Sequence, residues 1–401
     1  DNNPVITGTD SLEVIQIASK KNANNRYNSY CILSSDGGVK CFGKNNYGEL
    51  GFGNTNQVTN LTDSPFATLA NSAGTKIIKM DAGSLHFAML LENGRILTAG
   101  WDTGALGRDN DTTTPNYMNE FDGSNDSKFA VDIACTLRGT YIVTKDGKLW
   151  SCGEDYIARG GNHRYPGKVT TNGSAEFTGV SRRGIDSPKN VNVIVATNQN
   201  VMFLAQDGKL YGFGKNEGGR LGSGSGSVLN YPTEINLSSI TPAITRVKSI
   251  YGGYTQYDGV AIVSSDNNLY VSGYLKNYPS GANNKNSYEF VLGNIKNIYF
   301  THKDALVQLT DNTLKSWGEN DNGTLGNGNN TEQTSPSSAY TVNLGSSTLR
   351  TSNSLETKNN LLIDTGLTIY SEDSASNSTT FKAGSGGGAL TLTFPSGSGS
   401  T

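Results

Sequence analysis

TKIIKMDAGSLHFAMLLENGRILTAG, residues 75–100, reads as three strands joined by two reversals. Lys76–Met80 alternates as a strand does, Ala82-Gly83 makes a corner, and His86–Leu91 is a second apolar run. Asn93-Gly94 is a strong two-residue hairpin signal, because both central positions of its turn need positive φ. Arg95–Ala99 returns as a third strand ending at Gly100, and a weaker fourth strand is expected beyond Leu106-Gly107.

The same phrase recurs along the chain. It reads SDGGVKCFGKNNYGELGFG at 35–53, ENGRILTAGWDTGALG at 92–107, KDGKLWSCGEDYIARGG at 145–161 and QDGKLYGFGKNEGGRLGSG at 206–224. Two further copies read SDNNLYVSGYLKN at 265–277 and TDNTLKSWGENDNGTLGNG at 310–328. The Gly that ends the third strand falls at Gly43, Gly100, Gly153, Gly214, Gly273 and Gly318, a mean spacing of 55 residues. A repeat of that length with four antiparallel strands per copy is a propeller blade.

The expected fold is therefore all-β: a six-bladed β-propeller, alternatively seven-bladed, over residues 1–344. A β-rich fibre or stalk segment follows over 345–401. Asp36-Gly37, Asp146-Gly147 and Asp207-Gly208 fill the hairpin turn elsewhere. Asn267 and Thr313 stand for that Gly in the last two copies and predict a longer or distorted hairpin there. Residues 1–11 are expected to add a strand that closes the ring. Helix content is expected to be very low, since no sustained 3.6-residue apolar period is present.

Composition agrees with a β-repeat body. Only 35% of the 401 residues are hydrophobic and 49 are Gly, which by itself suits a disordered chain. The regular apolar strands argue against disorder. A net charge of −3 with scattered signs leaves no basic footprint for nucleic acid or anionic membranes. No apolar run approaches the ~20 residues a membrane helix needs, so no membrane insertion is expected. The opening DNNPVITGTD carries no visible signal peptide, as in a processed secreted chain or a truncated one.

The repeated phrases resemble the regulator of chromosome condensation repeat, of form G-x-x-H-x-x-x-L-x-x-D-G-x-V-x-x-W-G-x-N-x-x-G-Q-L-G-x-G. GKNNYGELGFG, GKNEGGRLGSG and GENDNGTLGNG carry it best, and the likeness covers residues ~12–340. The third and fifth copies are eroded. The resemblance implies a scaffold that acts by presenting loops, hence a binding role. One such scaffold hosts many unrelated functions. The basic tail of the family's founding exchange factor has no counterpart here.

Cys31 and Cys41 lie symmetrically about Asp36, so the hairpin sets them opposite one another on neighbouring strands. They form either a bridge or two buried thiols. Bacterial extracellular versions of the repeat often carry Cys at these places, which implies the bridge. Cys135 and Cys152 lack that register. A second bridge is conceivable there if pairing brings the ends of their strands together. Two such pairs point to an oxidising, extracellular compartment.

Nothing in the chain reads as a reaction centre or cofactor site. Three His are present: His86 on the repeat's own His position, His302 in the related place of the sixth copy, and His163 in a polar loop. His86 reads as a hydrogen-bonded structural residue. No GxSxG, HExxH or phosphate-binding loop occurs, and no CxxC or His beside a Cys suggests zinc. Asp109-Asn110-Asp111 and Asn320-Asp321-Asn322-Gly323 resemble fragments of calcium loops, but turn chemistry accounts for them without a metal.

The loops after the terminal glycines differ between copies: KNNY, WDTG, EDYI, KNEG, YLKN and ENDN. In a propeller they gather on one rim. This nominates Tyr47, Trp101, Tyr156 and Tyr274 with Asp102, Asp155 and Lys276 as a binding rim. Trp101 leads, because the repeat expects a small or polar residue there; Tyr47 has the plainer alternative of packing within its own turn. Trp150 and Trp317 lie in strands and read as core.

Beyond residue 345 the repeat stops. Leu361–Asp364, Thr379–Ala383 and Ala389–Phe394 read as isolated short strands, which need partners to bury a core. TTFKAGSGGGALTLTFPSGSGST resembles modules of phage tail fibres and trimeric bacterial surface fibres. That resemblance implies a homotrimer through this segment. The function expected is a non-enzymatic adhesion head on a virion or bacterial surface fibre, recognising a cell-surface protein or glycan. The alternatives are a secreted monomeric module that masks another protein, as an inhibitor does, or a structural decoration protein.

Overall fold

The structure is a computed structural model. It describes residues 14–20, 29–101, 104–108, 112–154, 162–168, 191–224, 226, 228–252, 259–273, 285–300, 304–311, 313–318, 320, 325, 329–338, 378–381 and 390–393. The chain divides into two compact units, Asp1–Asn343 and Leu344–Thr401.

The first unit holds six four-stranded antiparallel sheets, each built from strands consecutive in sequence. Blade 1 has β1 (Val14–Ser19), β2 (Ser29–Ser34), β3 (Val39–Gly43) and β4 (Val58–Asp63). Blade 2 has β5 (Ile77–Ala82), β6 (His86–Leu91), β7 (Ile96–Gly100) and β8 (Thr112–Tyr117). Blade 3 has β9 (Ala130–Cys135), β10 (Gly139–Thr144), β11 (Leu149–Glu154) and β12 (Asn162–Lys168). Blade 4 has β13 (Val191–Ala196), β14 (Asn200–Ala205), β15 (Leu210–Lys215) and β16 (Val228–Glu234). Blade 5 has β17 (Val247–Gly252), β18 (Gly259–Ser264), β19 (Leu269–Gly273) and β20 (Lys285–Leu292). Blade 6 has β21 (Ile295–Phe300), β22 (Asp304–Leu309), β23 (Leu314–Gly318) and β24 (Gln333–Ser338). The protein is a six-bladed propeller. The strand expected from residues 1–11 lies outside the described residues.

Why each third strand stops at Gly is visible in the backbone. Gly43, Gly100, Gly153, Gly214, Gly273 and Gly318 all have φ between 91° and 141°. A Cβ on Gly100 would stand 2.1 Å from the carbonyl oxygen of Leu85, and one on Gly153 would stand 2.3 Å from that of Arg138. The strand must end there in a conformation and a space open only to Gly.

Adjacent blades are tied by recurring backbone bonds. The hairpin turn of one blade accepts from the first residue of the next blade's first strand: Ala130 N donates to Gly94 O, Val191 N to Gly147 O and Ile295 N to Asn267 O, each at 2.9 Å. Asn267 has φ 58° and takes the glycine's part. Val263 pairs with Leu269 just as Val143 pairs with Leu149, so the expected lengthening of the fifth hairpin does not occur. In the sixth copy Gln308 pairs with Leu314, again six residues apart. The glycine's counterpart is therefore position 312 and not Thr313.

First strands are also stitched by side chains. Gln16 exchanges two bonds with the Met80 backbone, Asp81 accepts from Cys135 N at 2.7 Å, and Asp132 accepts from Ile194 N at 3.1 Å. Apolar cores fill five junctions. Between blades 1 and 2, for example, Leu33, Val39 and Leu50 meet Met80, Phe87 and Met89. Each such buried side chain contributes about 1.5–3 kcal/mol.

The face of blade 1 turned away from blade 2 differs. Val14 and Ile17 are 52% and 62% exposed, while Ile77 and Met80 in the same register of blade 2 are buried. Among the described residues one α-helix interrupts the all-β pattern, α1 (Pro65–Ser72), with Ser64 accepting from Phe66 N and Pro at its first turn. Phe66, Ala67 and Ala70 bury against the blade 1–2 core.

In the second unit, β25 (Ser378–Phe381) pairs antiparallel with β26 (Leu390–Thr393), Phe381 opposite Leu390. The strand expected at Leu361–Asp364 lies outside the described residues.

Candidate binding face

Antiparallel order alone sorts the loops. The corner after each first strand and the long loop after each third strand lie at one end of the blade, and the Asp-Gly hairpin lies at the other. In blades 1, 4 and 6 the long loop is held from within by one repeated asparagine. Asn45 Oδ1 accepts from Leu50 N and its amide donates to Asn54 O. Asn216 does the same to Leu221 N and Gly224 O, and Asn320 to Leu325 N and Asn329 O. Gly53 N then reaches Thr113 O of blade 2 at 2.9 Å, and Gly224 N reaches Asn286 O of blade 5 at 2.8 Å. This loop face is thus a braced surface.

Upon it stand two exposed rings. Tyr47 stacks on Trp101 with centroids 4.7 Å apart and planes 22° from parallel. They are 37% and 45% exposed. The two positions are not equivalent in the repeat: Trp101 directly follows its terminal Gly, Tyr47 is four residues past its own. They meet because blade 1's loop leans onto blade 2. The backbone of Trp101 is anchored, its amide N–H donating to Leu85 O at 2.9 Å.

Beneath Tyr47 lies a buried ion pair. Lys20 Nζ contacts Glu49 Oε1 at 2.6 Å, with both side chains almost wholly buried. Glu49 Oε1 also accepts from Ser29 Oγ at 3.3 Å, and Oε2 from Tyr47 N at 2.8 Å. The Lys20 ammonium sits over the Tyr47 ring, 5.6 Å from its centroid. With its charges paired and its carboxylate multiply bonded, this cluster fixes the turn that carries Tyr47. The cluster orients Tyr47.

Of the nominated rim, then, the structure brings Tyr47 and Trp101 together. Asp102, Asp155, Tyr156, Tyr274 and Lys276 lie outside the described residues. Tyr47 does not merely pack in its own turn. Trp317 is buried as expected, while Trp150 is half-buried and donates from Nε1 to Thr144 Oγ1 at 3.3 Å. His86 is fully buried with Nε2 3.0 Å from Thr140 Oγ1, a structural role between blades 2 and 3. The side chain of His163, all of His302 and the Asp109–Asp111 stretch lie outside the described residues. Among the described residues no group of three or more His, Cys, Asp or Glu could hold a metal ion. Asp36, Asp122 and Asp311 have lowered carboxyl pKa values, each chiefly from a side-chain hydrogen bond with a nearby Ser or Thr and then a backbone N–H. This is turn chemistry.

Cys31 and Cys41 form a disulfide between directly paired residues, Cα atoms 4.2 Å apart. The second bridge is corrected: Cys135 and Cys152 are buried thiols. Both pair in register with Thr140, one on either side of β10, which sets them two strand spacings or about 10 Å apart. A disulfide tolerates no more than about 7 Å between Cα atoms.

Sequence reasoning missed Lys20 and Glu49. Glu49 was visible only as part of GELG, and no local signal links it to a lysine 29 residues away.

Residues 207–256 match the family model "Regulator of chromosome condensation (RCC1) repeat". The E3 ubiquitin-protein ligase HERC2 of Homo sapiens is 29% identical over 250 residues, 57% of this chain and 5% of that protein. The Ultraviolet-B receptor UVR8 of Arabidopsis thaliana is 26% identical over 206 residues, 49% of this chain and 42% of that protein. The chain thus spans less than half the length of either relative. Human WBSCR16 superposes with a TM-score of 0.64 at 19% identity, covering 82% of each chain. Yeast RCC1 (Prp20), solved bound to Kap60, superposes at 0.61 and 18%, covering 82% of this chain and 75% of that one. This chain is a six-bladed β-propeller in which residues 207–256 match the RCC1 repeat.

Proposed function

We propose that this propeller is a non-enzymatic binding head of an extracellular fibre, on a virion or bacterial surface, that takes a cell-surface receptor on its long-loop face. The observation that carries the reading is the exposed Tyr47–Trp101 stack on a braced loop. Rigid aromatics standing out of a fixed scaffold are typical binding anchors, since little side-chain freedom is lost when they engage. The Cys31–Cys41 bridge favours an oxidising compartment. The C-terminal segment, by its likeness to fibre modules, supplies a homotrimer, and three modest sites held together act by avidity.

Light scattering on the full chain tests the assembly: a trimer is expected. Pull-down of host cells with the full chain and with Trp101→Ala tests the face: loss of binding is expected, and equal binding removes it. The second reading, a secreted monomeric module that masks another protein, draws on the yeast RCC1 structure solved with Kap60 bound. A monomer in light scattering selects it.

A further inference from the structure

We propose that the outward face of Trp101 is a stacking subsite for a neutral pyranose ring, so that the ligand class taken at this face is uncharged carbohydrate. The inference rests on the long-loop face being the binding face.

Three observations point to sugar. First, the π surface of Tyr47 is already engaged by Trp101 at 4.7 Å and by the Lys20 ammonium at 5.6 Å. Trp101, the more exposed ring at 45%, is the one left to present a flat face. An indole is a wide apolar plate of the kind the C–H face of a pyranose covers.

Second, the charge of the cluster beneath Tyr47 is cancelled within the protein. Lys20 and Glu49 are buried against each other at 2.6 Å, so neither offers a charge to a ligand. A sulfated or sialylated glycan finds no free cation in this cluster, and a cationic peptide no free carboxylate.

Third, the exposed neighbours in the loop that carries Tyr47 are Asn46, Gly53, Asn54, Thr55, Asn56 and Gln57, whose side chains are amides and a hydroxyl suited to sugar hydroxyls. Among the described residues the large exposed aliphatics of blades 1 and 2 are Val14, Ile15, Ile17, Leu61 and Ile78, all of them in strands and none in the long loops. A protein hot spot surrounds its aromatic anchor with a ring of contacts that exclude water. An exposed indole stacked on a loop rich in amides suits a sugar better.

The test uses the full chain on an array of neutral glycans (cello-, manno-, malto- and chito-hexaoses) beside sialyllactose and heparin hexasaccharide, followed by saturation-transfer NMR on any hit. The expected result is binding to at least one neutral series, with transfer to ring C–H protons. Trp101→Ala should weaken it by about tenfold or more, the loss of a ~1.4 kcal/mol contact, while Trp101→Phe keeps most of it. Circular dichroism confirms that each variant is folded. Binding confined to the charged glycans, or neutral binding indifferent to Trp101→Ala, overturns the proposal. So does an empty array. If the array is empty while host-cell binding still needs Trp101, the carbohydrate assignment fails and the face assignment stands. If Trp101→Ala leaves cell binding intact, both fail.

Discussion

Gly222 has no room for a side chain, because a Cβ there would lie 2.4 Å from Cε2 of Tyr288 in the next blade. Tyr288 is buried with its hydroxyl on Met202 Sδ, so the ring is held in place against the loop. The second residue of the Leu-Gly step is thus Gly because an outer strand of the neighbouring blade presses on the loop. Leu221 beside it fills the core.

Gly222→Ala should therefore cost about 2–4 kcal/mol, from a left-handed φ of 72° together with overpacking. Gly224→Ala is the control. It has φ 91° but no heavy atom within 4 Å of its Cβ position, so only the backbone cost of about 1–2 kcal/mol applies. Urea denaturation of the two variants should separate them; equal losses would show that the Tyr288 contact does not matter.

Ile17 and Met80 occupy the same register of β1 and β5 but opposite environments, 62% exposed and fully buried. Met80→Ser should cost about 3–4 kcal/mol, for a cavity and a buried hydroxyl. Ile17→Ser should cost less than about 1 kcal/mol. A comparable loss at Ile17 would mean that another surface covers that face in solution.

Much of this architecture was legible because it is local. The six terminal glycines, the Asp-Gly turns and the Cys31–Cys41 register each depend on residues within one hairpin. Cys135 and Cys152 misled because their strands are not neighbours: the second strand of the blade, carrying Thr140, stands between them and keeps the two apart. Helix α1 was missed because eight residues are too few for a periodic signal, although Ser64-Pro65 marks its start. The site was half legible. Trp101 stood out as a residue the repeat does not call for, but its contact with Tyr47 depends on how one blade leans on the next.

Denaturing the unreduced protein with iodoacetamide present should label two cysteines, Cys135 and Cys152, and spare Cys31 and Cys41. Peptide mass spectrometry reads this directly. Reduction should lower stability by about 2–3 kcal/mol, since the bridge closes a short loop with a sequence separation of 10. Four labelled cysteines would refute the bridge and weaken the case for an oxidising compartment.

Glu49→Gln keeps the shape of the side chain and removes its charge. The Lys20 ammonium would then be left buried beside a neutral amide, although Tyr47 N could still donate to the carbonyl oxygen. Stranding one member of a buried pair costs about 3–5 kcal/mol, whereas replacing both with apolar residues is often near neutral. Glu49→Gln should therefore destabilise strongly, and the double variant Lys20→Met/Glu49→Leu should recover most of that loss. The double variant also removes the acceptor for Tyr47 N, so the near-ultraviolet circular dichroism of the Tyr47–Trp101 stack should fall even where stability returns. A double variant with full stability and an unchanged aromatic signal would show that the ion pair does not position the stack. The rings would then be held by their mutual contact alone.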